Sequence, residues 1–212
     1  MPPPAVSIAA RAQTMRLRAS LAIGVAALAL SSAGFAAFEI MHRPPDAESP
    51  ALALGGPFEL VDHTGKRVTE ADYRGKAMLM FFGYTYCPDV CPMSLMNVAE
   101  ALRLLGRDAG RVAPLFVSVD PERDTPARLA EYVAAFDSRI VGLSGSPEQI
   151  ARAARAYRVY YAKHERAGTG NYLVDHSAFP YVMDRTGRFV SYLRHTDTPE
   201  TMAGAIRSAL AR

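Results

Sequence analysis

The stretch "AMLMFFGYTYCPDVCPMSLMNVAEALRLLG", residues 77–106, decides the fold. It opens with the continuous apolar run Ala77 to Phe82, which is typical of a β-strand covered on both faces. A helical pattern follows from Met93 and ends at Gly106. A buried strand that leads directly into a helix predicts an α/β domain in which at least part of the sheet is parallel.

The turn between this strand and this helix holds both cysteines of the chain, Cys87 and Cys91, each followed by proline. Because proline is favoured at the start of a helix, we expect Cys91 at or near the helix N-cap and Cys87 in the loop before it. Free backbone N–H groups and the helix dipole stabilise a thiolate there and lower its pKa. Thiolates are required both for disulfide exchange and for metal binding.

The spacing of the two cysteines leaves several uses open. A disulfide between residues four apart closes a short loop and adds little stability, so a purely structural bridge is disfavoured. Residues at i and i+4 on one helical turn are close enough for a redox disulfide or for a shared metal ion. Structural zinc is disfavoured because it takes four ligands and the chain has no second cysteine pair. A soft ion, Cu(I), fits two thiolates completed by one imidazole.

His176 is the candidate for the imidazole. It lies between a predicted strand ending near Val174 and a predicted buried strand from Phe179, and ligand sites in α/β sheets gather at strand ends. A bond from His176 to Asp175 or to the backbone is the alternative, and the residues alone do not decide between the two. The other histidines, predicted to be solvent-exposed, are His42, His63, His164 and His195.

The remaining pattern extends the α/β prediction. Two short strands are predicted between Phe58 and Gly75, a second buried strand at residues 112–120, and a third at 179–184 that turns at Gly187 into a hairpin partner. Three helices are predicted where a hydroxyl residue precedes proline, which combines an N-cap with a favoured first position. These pairs are Thr125-Pro126, Ser146-Pro147 and Thr198-Pro199.

The N-terminal part has a different composition. Residues 1–18 carry three arginines and no acid, and the 20 residues from Ala19 to Phe38 carry no charge, which is about the length that crosses a bilayer. We expect a basic cytoplasmic segment at 1–18, a transmembrane anchor at 19–40, a linker at 41–57 and the folded domain at 58–212 on the far side of the membrane. A cleaved secretory signal and a mitochondrial presequence are the alternatives.

The charge distribution excludes one class of partner. The formal charge is +3, and Arg11, Arg16, Arg18 and Arg43 against Glu39 place all of it in the first 43 residues. The remainder is balanced at 20 basic and 20 acidic residues. Nucleic-acid binding needs a basic face to neutralise phosphates, so we expect no nucleic-acid partner.

Four segments together resemble the Sco/SenC family of copper-binding proteins. They are "FFGYTYCPDVCP" (81–92), "FVSVDPERDTPARLAEYVAAF" (116–136), "GLSGSPEQI" (142–150) and "YLVDHSAFPYVMDRTGRF" (172–189). The resemblance covers nearly the whole chain from about Phe58. It implies a thioredoxin-like α/β fold with a central mixed sheet flanked by helices, and a β-hairpin inserted before His176.

The resemblance also implies a function. In that family the two cysteines and the histidine hold one copper ion, and the matching residues here are Cys87, Cys91 and His176. The implied role is a copper metallochaperone that delivers Cu(I) or Cu(II) to the dinuclear copper site of cytochrome c oxidase. Oxidation of Cys87 and Cys91 to a redox disulfide would release the metal, because only free thiolates ligate well.

An alternative function uses the same cysteine pair. A thiol-disulfide oxidoreductase could reduce the cysteines of that acceptor through mixed disulfides. In either case we expect the domain to face the periplasm from a bacterial inner membrane, or the intermembrane space from the mitochondrial inner membrane.

Some residues raise separate questions. Tyr86 stands where relatives often have histidine, which leaves the three-ligand set unchanged. Pro180 falls inside a predicted strand, where its missing N–H would remove a ladder bond. Asp120 is predicted to end a strand, and Asp124 to cap a helix together with Thr125.

Overall fold

Two fully buried parallel strands form the centre of the sheet. The computed structural model describes residues 54–165 and 172–212. In these residues the strands are β1 (Glu59–Asp62), β2 (Arg67–Thr69), β3 (Ala77–Gly83), β4 (Val112–Ser118), β5 (Val141–Ser144), β6 (Tyr161–Glu165), β7 (Tyr172–His176), β8 (Tyr181–Met183) and β9 (Phe189–Tyr192). The helices are α1 (Val90–Leu105), α2 (Pro126–Ala134), α3 (Pro147–Ala156) and α4 (Pro199–Leu210), with 3-10 turns at Glu70–Tyr73 and Gly106–Arg111.

The main sheet is mixed, as expected. Its strand order is β2-β1-β5-β4-β3-β8-β9. Strands β3, β4 and β5 run parallel, and the pairs β1–β2, β1–β5, β3–β8 and β8–β9 are antiparallel. Phe81 pairs with Phe116 at the centre, and every residue of β3 and β4 is buried. The continuous apolar runs in the sequence are explained by this burial on both faces.

The helices begin where the sequence predicts. The side chains of Thr125, Ser146 and Thr198 each accept a hydrogen bond from a backbone N–H in the first turn of α2, α3 and α4. Helix α4 lies against α1 and contacts β3 and β8, while α2 contacts β5 and α3 contacts β1. The helices therefore cover the apolar strands and complete the core.

A second, two-stranded sheet is formed by β6 and β7, which pair antiparallel from Tyr161–His176 to Glu165–Tyr172. In the described part of the chain these two strands pair with each other and with no strand of the main sheet. This sheet is the predicted β-hairpin insertion, and His176 is its last residue.

One local expectation is wrong, and a second is confirmed. Pro180 precedes β8 instead of lying inside it, so no ladder bond is lost, and its carbonyl accepts a hydrogen bond from Leu193 N at 2.8 Å. Cys91 lies near the N-cap of α1 as expected, because the N-cap is Asp89 and Cys91 is the second residue of the helix. The proline after Cys91 thus occupies the third helical position, still within the first turn, where no intrahelical N–H bond is required.

The predicted N-terminal segments lie outside the described residues, apart from the end of the linker. Within 54–165 and 172–212, the helices are all too short or too polar to cross a bilayer.

Candidate metal centre

Three side chains from distant parts of the chain meet at one point. The Sγ atoms of Cys87 and Cys91 and a ring nitrogen of His176 all lie within 4.8 Å of one another. Cys87 belongs to the loop after β3, Cys91 to the first turn of α1, and His176 to the end of β7. His176 Nε2 lies 3.3 Å from Cys91 Sγ. The residues that the sequence singles out as candidate ligands are thus close enough to bind one ion.

A glycine makes room for the inner cysteine. A Cβ at position 83 would lie 2.6 Å from Cys91 Sγ and 2.8 Å from a ring carbon of Phe116. Heavy atoms do not approach this closely, so the absent side chain lets the Cys91 sulfur pack against the end of β3. Cys91 is fully buried, whereas Cys87 retains 9% of its surface exposed.

The two thiols differ in acidity because their side chains lie together and are buried to different extents. Both cysteines are free. The neighbouring Cys91 side chain, with the backbone N–H groups of Asp89 and Cys91, lowers the pKa of Cys87 to about 5 in spite of its partial burial. The neighbouring Cys87 side chain and burial raise the pKa of Cys91. The thiolate form is therefore favoured at Cys87 and the thiol form at Cys91.

This result refines the expectation from the helix N-terminus. The lowered pKa belongs to Cys87, in the loop, because the Cys91 side chain and the backbone N–H groups of Asp89 and Cys91 favour its thiolate. Cys91 lies inside that turn with its sulfur buried, where removal from water disfavours the charged form.

The imidazole of His176 is oriented by its second nitrogen. His176 Nδ1 lies 3.1 Å from the carbonyl oxygen of Val174. A carbonyl can only accept, so Nδ1 carries the proton and Nε2 presents its lone pair to the cysteines. The bond to the backbone and a role as a ligand are therefore compatible, since the bond at Nδ1 leaves Nε2 directed at the cysteines.

An aromatic residue packs against this ring. Tyr84 meets the imidazole edge-on, with ring centroids 5.5 Å apart and an interplanar angle of 83°. Its hydroxyl accepts a hydrogen bond from Val174 N at 3.3 Å, which ties the end of β3 to β7. The sequence does not indicate this contact, because it joins residues 90 apart.

Asp124 supports the cysteine loop and does not cap α2. Its carboxylate accepts from the backbone N and the Oγ1 of Thr85, at 3.0 and 2.6 Å, and from Ser118 Oγ at 2.6 Å. Thr125 alone caps the helix by accepting from Arg128 N at 3.2 Å. The sequence contains an indication of this role. Thr125 and Pro126 already supply the start of α2, so the carboxylate of Asp124 is not needed as a cap.

The other described histidines lie outside the cluster. His63 is half-buried instead of fully exposed, and its Nδ1 accepts a hydrogen bond from Gly142 N at 3.0 Å. His164 lies in β6 instead of a loop, and its Nε2 is 3.0 Å from a carboxylate oxygen of Asp175. His195 is exposed as expected, and His42 lies outside the described residues.

Comparison with protein families gives a direct assignment. The SCO1/SenC family model matches residues 46–211. The chain belongs to the SCO1/SenC family.

Curated relatives agree with this assignment. "Protein SCO1 homolog 1, mitochondrial" of Arabidopsis thaliana is 45% identical over 157 residues, which are 73% of this chain and 47% of the relative. "Protein sco1" of Schizosaccharomyces pombe is 43% identical over 158 residues, 73% of this chain and 60% of the relative. The chain therefore spans roughly half the length of these SCO1/SenC relatives.

Solved structures of SCO1/SenC proteins share the fold. "Structure of Bradyrhizobium japonicum ScoI with copper bound" is 50% identical, with a TM-score of 0.70 over 74% of this chain and 100% of that one. "Crystal structure of Arabidopsis thaliana ScoI with copper bound" is 42% identical, with a TM-score of 0.70 over 76% of this chain and 100% of that one. These similarities and the mixed sheet confirm the thioredoxin-like α/β fold.

Proposed function

We propose that this chain binds one copper ion through Cys87, Cys91 and His176 and delivers it to the dinuclear copper site of cytochrome c oxidase. The observation that carries the proposal is the convergence of two sulfurs and an imidazole nitrogen within 4.8 Å of one another. Thiolates suit Cu(I), and the imidazole suits both Cu(I) and Cu(II). Relatives that are 50% and 42% identical have been solved with copper bound. The acceptor is proposed from the family resemblance.

Delivery requires that copper can be reached from outside. Cys91 is fully buried, whereas Cys87 keeps 9% of its surface exposed and His176 is half-buried, so an acceptor thiolate approaches from the side of Cys87 and His176. The acceptor sulfur forms a bond to copper before the bond from Cys87 breaks, and the buried Cys91 releases the ion last. Stepwise ligand exchange keeps copper coordinated throughout the transfer.

The alternative is reduction of the acceptor's cysteines. The Cys87 thiolate is partly exposed and has a lowered pKa, as an attacking thiol requires. It would attack an acceptor disulfide and form a mixed disulfide, releasing one acceptor sulfur as a thiolate. Cys91 would then pass its proton to the released thiolate, attack the Cys87 sulfur of the mixed disulfide and displace the second acceptor sulfur as a thiolate. The products are a Cys87–Cys91 disulfide and a reduced acceptor with one thiol and one thiolate, with two electrons transferred.

We also propose the location that the N-terminal sequence predicts. Residues 19–40 anchor the chain, residues 1–18 stay on the cytoplasmic or matrix side, and the domain at 58–212 faces the periplasm or the intermembrane space. Several relatives are named mitochondrial, which supports the second setting. In either compartment the cysteine pair can be oxidised and the redox disulfide would control copper loading.

The test of copper binding uses the full-length chain in mild detergent, reduced and free of oxygen. Cu(I) is titrated against a competing chelator for wild type, Cys87→Ser, Cys91→Ser and His176→Ala, with His195→Ala as the matched control. We expect one copper per chain, strong weakening in both cysteine variants, and a Kd about tenfold or more higher in His176→Ala. Equal affinity of wild type and His176→Ala would reject the three-ligand site.

A second assay separates delivery from reduction. The reduced, copper-free chain is mixed with an acceptor peptide whose two cysteines form a disulfide, and thiol release is followed. Disulfide turnover that survives His176→Ala would favour the oxidoreductase, because exchange needs the cysteines alone. Copper transfer to the reduced acceptor that is lost in His176→Ala would favour the chaperone.

A further inference from the structure

The relative position of the candidate ligands presents a mechanical problem. Cys87 and Cys91 belong to the main sheet and its helix, whereas His176 belongs to the β6–β7 hairpin. Within the described residues no backbone ladder joins the hairpin to the main sheet. Side-chain contacts must therefore set the distance from the imidazole to the sulfurs.

Tyr172, the first residue of β7, is held at three points. Its hydroxyl donates to Asp120 Oδ1 at 2.7 Å. Its carbonyl oxygen accepts from Arg123 Nη1 at 3.0 Å, and its ring centroid lies 3.6 Å from the guanidinium carbon of Arg123. Arg123 Nε also pairs with the second oxygen of Asp120. These three residues, Asp120, Arg123 and Tyr172, are called the clamp below.

Because Tyr172 and His176 belong to the same strand, the contacts of Tyr172 also restrict the position of His176. Residues at i, i+2 and i+4 of a strand face the same side, so Tyr172, Val174 and His176 point together toward the end of β3. Val174 is buried, and its N–H and carbonyl oxygen bond Tyr84 and His176 respectively. Fixing Tyr172 thus fixes the direction of the imidazole four residues away.

The same short segment also holds the cysteine side. Asp124, four residues after Asp120, binds Thr85 through both its backbone N and its hydroxyl. Thr85 lies two residues before Cys87. Residues 120–124 therefore contact both halves of the site and set the distance between them.

The chemistry of the clamp fits positioning better than stabilisation. Asp120 is fully buried, the Arg123 side chain is 20% exposed, and Arg123 Nη2 is buried without a hydrogen-bond partner. Burying an ion pair costs desolvation that its attraction barely offsets, so apolar residues would stabilise the fold at least as well. A buried pair is useful where direction and distance matter.

We infer that the clamp of Asp120, Arg123 and Tyr172 positions His176 and thereby sets how strongly the site favours Cu(II) relative to Cu(I). The inference rests on the proposed copper site. Both ions gain from the nitrogen donor, but the two thiolates supply most of the Cu(I) affinity, whereas Cu(II) depends more strongly on the imidazole. A loosened clamp weakens the contact of the imidazole with the ion, so the affinity for Cu(II) falls much more than the affinity for Cu(I).

The test compares Tyr172→Phe with Tyr192→Phe in the full-length chain. Tyr172→Phe removes only the hydroxyl that bonds Asp120, and Tyr192→Phe removes an exposed hydroxyl on β9. Competition titrations give the affinities for Cu(II) and Cu(I) separately. We expect Tyr172→Phe to lower the Cu(II) affinity about tenfold and the Cu(I) affinity less than about twofold, and Tyr192→Phe to change neither.

Arg123→Lys provides a second variant that keeps the charge beside Asp120. Lysine lacks the planar fork and the stacking face, so it cannot hold the carboxylate, the carbonyl and the ring of Tyr172 together. We expect the same selective loss of Cu(II). Nitrogen coupling in the electron paramagnetic resonance spectrum of the Cu(II) form should weaken in both clamp variants.

The results distinguish this inference from the copper site itself. In the His176→Ala background, Tyr172→Phe should cause no further loss of Cu(II) affinity, because the clamp acts through the imidazole. Equal losses of Cu(I) and Cu(II), or a full additional loss in that background, would overturn the clamp while leaving the site intact. A wild type that binds copper no better than His176→Ala would instead reject the site.

Discussion

The end of β3 illustrates how one residue shapes the site. Position 83 has space for hydrogen only, because any Cβ would meet the Cys91 sulfur and the Phe116 ring. Glycine at position 83 is therefore required for the buried position of the Cys91 sulfur. Seen alone, a glycine at the end of a strand would suggest only a bend or a close approach of backbone.

Gly83→Ala should lower both the stability of the protein and its affinity for copper. The new methyl forces the Cys91 sulfur or the Phe116 ring to move, at a cost of about 1–3 kcal/mol in the free energy of unfolding. We expect weaker copper binding in a chelator competition and a lower midpoint in denaturant.

Gly204→Ala is the matched control for that variant. Gly204 lies in α4, and beyond its own turn of helix no heavy atom lies within 4 Å of an added Cβ. Alanine should raise stability there by up to about 1 kcal/mol and leave copper binding unchanged. Copper affinity in Gly83→Ala equal to that of wild type would show that this packing does not hold the sulfur.

The sequence identifies the candidate ligands but not their supports. Cys87, Cys91 and His176 are recognisable because sulfur and imidazole are rare donor types in this chain. Arg123 and Tyr172 look like ordinary surface residues, since their meeting depends on the path of a loop across 49 positions. Such long-range side-chain contacts leave no periodic signal in a single sequence.

At the scale of elements, the starts of helices that depend on neighbouring residues are predicted best. The three hydroxyl-proline pairs cap their helices as predicted because both interactions are confined to a few neighbouring residues. The start of α1 is predicted less closely. Cys91-Pro92 resembles the hydroxyl-proline pairs, but it lies inside the first turn of a helix whose N-cap is Asp89. Strand β5, Val141–Ser144, is not predicted from the residue pattern.

The cap of α3 can be tested directly. Ser146 accepts from Gln149 N at 3.3 Å, and the Gln149 side chain accepts from Ser146 N at 2.8 Å. Ser146→Ala should lower the free energy of unfolding by about 1 kcal/mol, measured by denaturant titration. Copper affinity should not change, because α3 packs mainly on β1 and carries none of the three candidate ligands.

Ser208→Ala serves as the comparison for Ser146→Ala. Ser208 is exposed in α4, and its hydroxyl bonds the carbonyl of Gly204 within the helix. Alanine is the better helix former at such a position, so stability should stay level or rise slightly. A loss as large as that of Ser146→Ala would mean that the capping bond is not the cause.

For the whole molecule, copper should stabilise the fold mainly through His176. The two cysteines are four residues apart, so the unfolded chain can still bind copper with both sulfurs, and only the imidazole requires the folded hairpin. If the folded chain binds about tenfold more tightly, it gains about 1.4 kcal/mol, which raises the Tm by about 3–6 °C.

The measurement is thermal unfolding of the reduced chain with and without excess Cu(I), excluding oxygen. We expect the rise in Tm to disappear almost entirely in His176→Ala and to persist in His195→Ala. An equal rise in wild type and His176→Ala would show that the fold adds nothing to copper binding beyond the cysteine pair.

The fold class is predictable from the sequence, and the strand order is not. Apolar runs and capped helices suffice for an α/β domain with buried parallel strands. The placement of β3 between β4 and β8, and of β5 beside β1, depends on crossovers that pattern alone does not specify. The resemblance to a known family supplied the thioredoxin-like arrangement that periodicity left open.

The position of β8 beside β3 has a consequence for how the protein is made. A nascent chain emerges from the ribosome with its N-terminus first. The cysteine turn emerges early, whereas the strand that shields the edge of β3 and the imidazole beside the sulfurs come from the last fifth of the polypeptide. During translation the thiols are therefore present long before their protective surroundings, and redox partners encounter an unfinished chain.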